Sequence, residues 1–157
     1  MLTLTLTLTS IGVVSSSRAE AIDDDWDSVK STITIDGEQF SADVLAGLDA
    51  FSHVEVVYLF DQVDPTKVQV GARHPRGNAK WSMVGIFAQR AKARPKRIGV
   101  TVCRLLAVDG LSLAVHGLDA IDSTPVLDLK PYMSEFGPCG DVRQPAWSRD
   151  LMAGHWG

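Results

Sequence analysis

A chain of 157 residues, 45% of them apolar and 22% charged, has the size and composition of one globular domain with a core. That excludes a disordered chain, a collagen-like chain and a disulfide mini-protein. The formal net charge of −4 conceals a segregation: Pro65 to Val108 holds ten Lys or Arg and no Asp or Glu, while the other residues carry five bases against nineteen acids. No run of about 18 apolar residues offers a membrane span. The N-terminus has no basic flank of the kind a signal peptide carries. Cys103 and Cys139 stand too far apart in the chain to build a zinc site between them; they could form a single disulfide, but the lack of a secretion signal favours a reducing cytoplasm, and no metal and no membrane are expected.

Leu2 to Thr9 alternates apolar with polar in period two, the pattern of a half-buried strand, and Ile11 to Val14 extends it. Ser15 to Asp27 is an acidic loop. Val29 to Ile35 is a second strand with Val29, Ser31, Ile33 and Ile35 on one face, ending at Asp36-Gly37. Ser41 to Phe51 is the one good helix, with Ser41 as N-cap, Phe40 stapled onto Leu45, and Gly47 weakening it. Val54 to Phe60 is a largely buried strand, Asp64 to Trp81 a long loop, Val84 to Ala88 a strand, and Gln89 to Arg97 a basic loop. Ile98 to Val108 and Leu111 to Gly117 form a hairpin around a two-residue Asp109-Gly110 turn. Val126 to Tyr132 closes the sheet, and one helical turn follows near Ser148 to Ala153. Six or seven strands without βαβ alternation predict a mainly β fold. It is a single β-barrel-like domain over 1–132, with one short helix and an irregular C-terminal tail, 133–157, that packs on the domain or on a dimer interface.

There is no glycine-rich dinucleotide turn, no phosphate loop, no His-Glu-x-x-His and no nucleophile elbow. A doubly wound nucleotide-binding domain is thereby excluded. The acid-free basic segment is either a solvated face paired with acidic neighbours in the fold or a site for an anion, with phosphates the commonest choice. Asp128, Lys130 and Tyr132 alternate with Leu127 and Leu129, which puts three polar side chains on one strand face. They form either an ion pair with a tyrosine cap or a catalytic group. Trp26 is either a packing anchor or a surface for stacking on a base, and Cys103 reads as an ordinary buried residue.

Gly85-Ile-Phe-Ala-Gln-Arg90, Arg94-Pro95, Ile98-Gly99, Val102 and the run Gly117-Leu-Asp-Ala-Ile-Asp-Ser-Thr-Pro-Val-Leu-Asp-Leu-Lys-Pro-Tyr132 strongly resemble the TrmO family, also called TsaA-like or VirR-like. Ala50-Phe-Ser-His-Val54 fits too, and the resemblance spans roughly Ile11 to Tyr132. It implies an S-adenosyl-L-methionine-dependent methyltransferase built on a β-barrel, acting on the exocyclic nitrogen of threonylcarbamoyladenosine in the tRNA anticodon loop. It also implies a homodimer with the cofactor close to the subunit interface. By position it assigns cofactor contacts to Arg90, to Val100, and to Asp122, Ser123, Thr124 and Pro125, which stand where the family usually reads Asp-Gly-Thr-Pro. Asp61 and Gln62 occupy the place of a family His-Gln pair.

Arg90 can fork onto the cofactor's carboxylate, and main-chain groups around Ser123 and Thr124 are placed to read adenine. Asp128, Lys130 and Tyr132 are the candidate catalytic residues. Arg73, His74, Arg76, Lys92, Arg94, Lys96 and Arg97 are the candidate tRNA contacts. Two other functions stay open: methylation of a small-molecule acceptor, and a non-catalytic RNA- or nucleotide-binding barrel.

Overall fold

The computed structural model describes residues 1–157. Its centre is a closed antiparallel barrel of six strands: β1 (Gly12–Ser16), β2 (Lys30–Ile35), β3 (His53–Leu59), β6 (Ile98–Asp109), β7 (Ser112–His116) and β8 (Pro125–Pro131). Two further strands, β4 (Ala72–Arg73) and β5 (Val84–Gly85), form a separate ribbon. The order around the barrel is β1-β2-β7-β6-β3-β8, and it closes where Gly12 and Val13 of β1 face Val126 and Pro125 of β8. Closure removes the sheet edges that a run of short strands would otherwise leave open. It requires close contact at β1, where a Cβ on Gly12 would lie 2.4 Å from the Thr34 carbonyl oxygen.

Strand side chains alternate between the two faces, so one face of every strand fills the barrel. Val14, Ile33, Ile35, Val54, Val56, Tyr58, Cys103, Leu113, Val115 and Val126 are all buried there, joined by Leu118 and Ala120 from the loop before β8. Leu45 closes one end, with Phe40, Leu48, Val108 and Leu111 packed around it. A bulge sets Val57 opposite Asp128 but Tyr58 opposite Val126, so Leu129 turns toward the core while Asp128 and Lys130 face out.

The structure corrects several expectations. Leu2 to Thr9 forms no strand and is exposed. Its alternating pattern suits a strand, but β1 already pairs with β2 and β8, so the segment leading into it has no open neighbour there. The predicted helix is two 3-10 turns, Ala42–Leu45 and Leu48–Ala50, broken by Gly47 at φ 80°. Ser41 hydrogen-bonds the Asp43 carboxylate instead of capping a backbone N–H.

The strand Val84 to Ala88 stops at Gly85 and turns into a 3-10 turn, Ile86–Ala88. In the hairpin, Asp109 pairs with Ser112, so the turn is Gly110-Leu111, one residue later than expected. Glycine at the first turn position, here at φ 57°, matches the strand twist, and the shift brings Leu111 against the core.

The α-helix of the chain is C-terminal, α1 (Ala146–Met152). Beyond it, Gly154, His155 and Trp156 accept hydrogen bonds from the main-chain N–H groups of Asp25, Trp26 and Asp27, at 3.0, 2.9 and 2.9 Å. Trp26 is buried beside this seam, its Nε1 donating to the Ile22 carbonyl at 3.1 Å and the Arg18 guanidinium lying 4.3 Å over its ring. It packs and presents no free stacking face. No helix is long and apolar enough to cross a membrane.

Candidate functional site

Only the second half of β6 pairs with β7, from Arg104 onward; residues 98–103 pair with β3 alone and leave an edge for loops to cover. Arg90 does so, its Nη2 donating to the Val100 carbonyl at 2.6 Å while the rest of the side chain stays in solvent. On the inner face next to it, the Thr101 hydroxyl donates to the Asp119 carboxylate, and the Tyr58 hydroxyl donates to the same oxygen at 2.7 Å.

His155 completes the group. Its Nε2 lies 3.5 Å from the other Asp119 oxygen and its Nδ1 is 2.8 Å from the Asp23 carbonyl. Burial opposes the charge on Asp119, but hydrogen bonds from His155, Thr101 and Tyr58 outweigh it and hold the carboxyl below its ordinary value. The Asp119 hydrogen bond raises His155, in keeping with acceptors at both ring nitrogens. Burial first, and then the charge of Asp119, pushes the Tyr58 phenol far up, so it stays protonated. Burial likewise pushes the Cys103 thiol up to about 12, an inert core group.

Asp119 was not among the residues singled out in the sequence. The available signal was a lone acid between two apolar residues, Leu118 and Ala120, both of which turn out to be buried.

Three residues on, the turn before β8 is tied to β1. Asp122 accepts the Ser16 N–H at 2.9 Å and donates its own N–H to the Arg18 carbonyl at 2.7 Å. The Ser123 N–H donates to Val14 O at 2.7 Å, the Thr124 N–H to Ile121 O at 3.3 Å, and Thr124 O accepts from the Val14 N–H at 3.0 Å. The Ser123 N–H and the Thr124 carbonyl therefore continue the pairing with β1 while the Thr124 N–H closes the turn, and neither N–H donor is free to read adenine. What the turn displays is the exposed Ser123 at φ 66°, a left-handed conformation that explains why glycine suits this position. Thr124 is buried and Pro125 begins β8.

Asp61 and Gln62 form an exposed turn after β3, held by Phe60 N–H to Arg97 O at 2.8 Å and by Arg97 Nη1 to Val63 O at 3.0 Å. Arg94 likewise ties its own loop, donating to Gln89 O at 2.9 Å. Arg76 is engaged with the acidic loop, 3.0 Å from Asp24 and 3.9 Å from Asp23. His74 Nδ1 lies 2.6 Å from the Trp81 carbonyl, and Arg73 keeps a buried Nε without a partner. Lys67, Lys80, Lys92, Lys96 and Arg104 are exposed and make no hydrogen bond through their side chains. Of the ten bases in the acid-free stretch, Arg76 alone meets a carboxylate. Pairing with acidic neighbours thus accounts for one charge and leaves the others available.

The outer wall of the barrel carries the remaining candidates. Val57 stands between Val100 on one side and Asp128 on the other, so these two lie about 10 Å apart, two strand spacings. Asp128 and Lys130 form an ion pair whose carboxylate raises Lys130. Tyr132, His53 and Val102 line a shallow groove of about 370 Å³. Beside it, Ile98, Val100 and Val102 form an apolar row, each between 36% and 39% exposed. The structure thus brings Arg90, Val100, Thr101 and Asp119 together at one end of β6, and places Asp128, Lys130 and Tyr132 across the wall from them.

A closed antiparallel barrel with its polar network and motif arginine gathered at one end defines a single-barrel domain with no nucleotide-binding α/β layer. The chain belongs to the family described as tRNA-methyltransferase O N-terminal domain, whose model matches residues 23–137. Human tRNA (adenine(37)-N6)-methyltransferase is 36% identical over 101 residues, covering 64% of this chain and 22% of that protein. A putative S-adenosylmethionine-dependent methyltransferase of Pseudomonas aeruginosa, RcsF, is 40% identical over 101 residues, covering 64% and 43%. The crystal structure of TrmO from P. aeruginosa superposes with a TM-score of 0.74 at 27% identity, over 93% of this chain and 63% of that one. The chain therefore spans about a fifth of the human relative's length and somewhat under half of the bacterial one's.

Proposed function

We propose that this barrel is an S-adenosyl-L-methionine-dependent methyltransferase domain acting on the N6 nitrogen of threonylcarbamoyladenosine in tRNA. One observation carries the nucleic-acid part: nine of the ten bases between Pro65 and Val108 lack a carboxylate partner, and Lys92, Arg94, Lys96 and Arg97 follow the family's motif arginine directly in the chain. The acidic loop at Asp23 to Asp27 is offset in part, Arg76 meeting the Asp23 and Asp24 carboxylates and Arg18 donating to the Asp24 and Asp25 carbonyls, while the Asp25 and Asp27 carboxylates meet no cation.

The residues present fit the cofactor. Arg90 uses one N–H on Val100 and keeps the others for a carboxylate, in the forked geometry guanidinium groups favour. Val100 offers an exposed apolar surface beside it, and Asp61, Gln62 and the Ser123 hydroxyl supply polar groups from exposed turns. Bound here, S-adenosylmethionine would supply a methyl group activated by its sulfonium. Asp122, Thr124 and Pro125 then act by fixing the turn on β1 rather than by reading the ligand directly.

In-line methyl transfer asks the protein mostly for alignment, which in favourable systems accounts for ~7–11 kcal/mol of a barrier. The acceptor nitrogen loses one proton as it gains the methyl. Asp128 is the candidate for receiving that proton, and Lys130 and Tyr132 are candidates for orienting the acceptor, on the wall they share with Val100. Lys92 and Lys96 are free for phosphates. Arg73, His74, Arg94 and Arg97 shape the loops that present them, and Arg76 supports the acidic loop.

The apolar row Ile98, Val100 and Val102 supports a homodimer that covers this wall next to the cofactor residues, in the cytoplasm where tRNA is modified. Nucleoside mass spectrometry of tRNA from cells with and without the gene tests the proposal. Loss of the methylated nucleoside is expected. An unchanged profile, with S-adenosylmethionine binding intact, would favour a small acceptor instead.

A further inference from the structure

We propose that Phe87 is a stacking platform for an unpaired nucleobase of the RNA substrate, an inference that rests on the tRNA reading above. Phe87 is 79% exposed, in the middle of the 3-10 turn Ile86–Ala88. Its neighbours hold that turn firmly. Ile86 is buried and donates its N–H to Gly71 O at 2.9 Å. The Gln89 N–H returns to Ile86 O at 3.2 Å, and the buried Gln89 side chain donates to Arg73 O at 3.2 Å and Val84 O at 2.9 Å, clamping the ribbon. The backbone on both sides of the ring is therefore fixed while the ring itself finds no place in the core.

Its surroundings are cationic. Arg90 and Lys92 follow within five residues, Arg73 lies on the strand paired with β5, and no acid occurs from Pro65 to Val108. Val70 and Met83, 84% and 57% exposed, stand just before the two strands of the same ribbon. A rigidly displayed aromatic ring among unpaired cations is how proteins grip single-stranded nucleic acid, with the charges following phosphates and the ring taking a base face. A second copy of the chain is less suited to the place, because it would bring two sets of unpaired cations together around the ring.

The test uses the full chain and a fluorescently labelled RNA hairpin with the sequence of a tRNA anticodon stem-loop. Phe87→Ala and Phe87→Leu should weaken its binding about five- to a hundredfold, and Phe87→Tyr should restore it. The slope of affinity against salt should not change, since no phosphate contact is lost. S-adenosylmethionine binding by calorimetry and the mass by light scattering should match the wild type. Wild-type affinity in Phe87→Ala would overturn the inference while leaving the tRNA reading in place, and so would full rescue by leucine. A changed mass in Phe87→Ala would overturn it in favour of a second copy covering the ring. Failure of the wild-type protein to bind the hairpin at low salt would overturn both.

Discussion

The barrel and the basic segment from Asp61 to Arg97 are held together by different forces. In the barrel, apolar side chains from six strands interlock at close to zero exposure. In the basic segment, polar side chains reach across to main-chain carbonyls: Gln89 to Arg73 and Val84, Arg90 to Val100, Arg94 to Gln89, Arg97 to Val63. The first kind of order comes from area removed from water, which is non-directional and large in total. The second comes from a few directional bonds, each modest, that fix loop shape without building a core. A site assembled in the second way can present cations and an aromatic ring at the surface because the barrel beneath it supplies the stability.

Removing one core group should damage the first kind of order most. Leu113 is fully buried against both β2 and β6, so Leu113→Ala should lower global stability by about 2–5 kcal/mol in denaturant titrations, with S-adenosylmethionine affinity unchanged until the protein unfolds. Gln89→Ala attacks the second kind. It strands two carbonyls beside an empty volume, for about 1–3 kcal/mol, and hydrogen exchange should quicken across β4 and β5 while the barrel amides stay protected. A uniform loss of protection over both regions would show that they are one cooperative unit and dissolve the distinction.

The same contrast governs what could be read in the sequence. Alternation revealed β2, β-branched and aromatic content revealed β3, and the Asp109-Gly110 turn signal revealed the hairpin of β6 and β7, since all three are local patterns. Alternation misread Leu2 to Thr9, because whether a strand has a partner is a property of the whole sheet. Motif positions located Arg90 and the Asp122 turn, but not their bonds. Asp119 is defined by Thr101 and Tyr58, 18 and 61 residues away, and Arg76 meets Asp24 across 52 residues. No local composition announces such pairs. Nor does local composition show that the Ser123 N–H is taken by Val14 of β1 and the Thr124 N–H by Ile121 within the turn, which removes both from adenine reading.

Ser123 offers a smaller and opposite effect. It holds φ 66° with a Cβ, where glycine adopts the conformation freely. Ser123→Gly should therefore stabilise the protein by up to about 1 kcal/mol after the added freedom of the unfolded chain is subtracted, raising the melting midpoint by a few degrees. If the hydroxyl also contacts the cofactor, calorimetry will show weaker S-adenosylmethionine binding in the same variant. A gain in stability with a loss of affinity would separate the two roles of this turn.

The smallest effect concerns the junction of the two regions, where the C-terminal His155 meets Asp119 of the barrel end and Asp23 of the acidic loop. His155 is raised above its ordinary 6.5, so its stabilising contribution is complete below that value and fades as pH climbs through the raised one. Asp119 is held below its ordinary 3.8, so its share is complete above that value and is lost only as pH falls through the lowered one. The pair is consequently at full strength between about pH 4 and 6.5. Other charges facing the imidazole do not reverse this: Arg76 opposes its protonation more weakly than Asp119 favours it, and Tyr58 stays neutral throughout. His155→Gln should lower the melting midpoint at pH 6 and do so progressively less toward pH 8.5. Exchange at the Asp25, Trp26 and Asp27 amides, which bond to residues 154–156, should quicken in the variant at pH 6 and in the wild type as pH rises. A deficit that stays constant from pH 6 to 8.5 would mean that His155 acts there through shape alone. The tail would then be held to the barrel by its main-chain bonds without help from the charge pair.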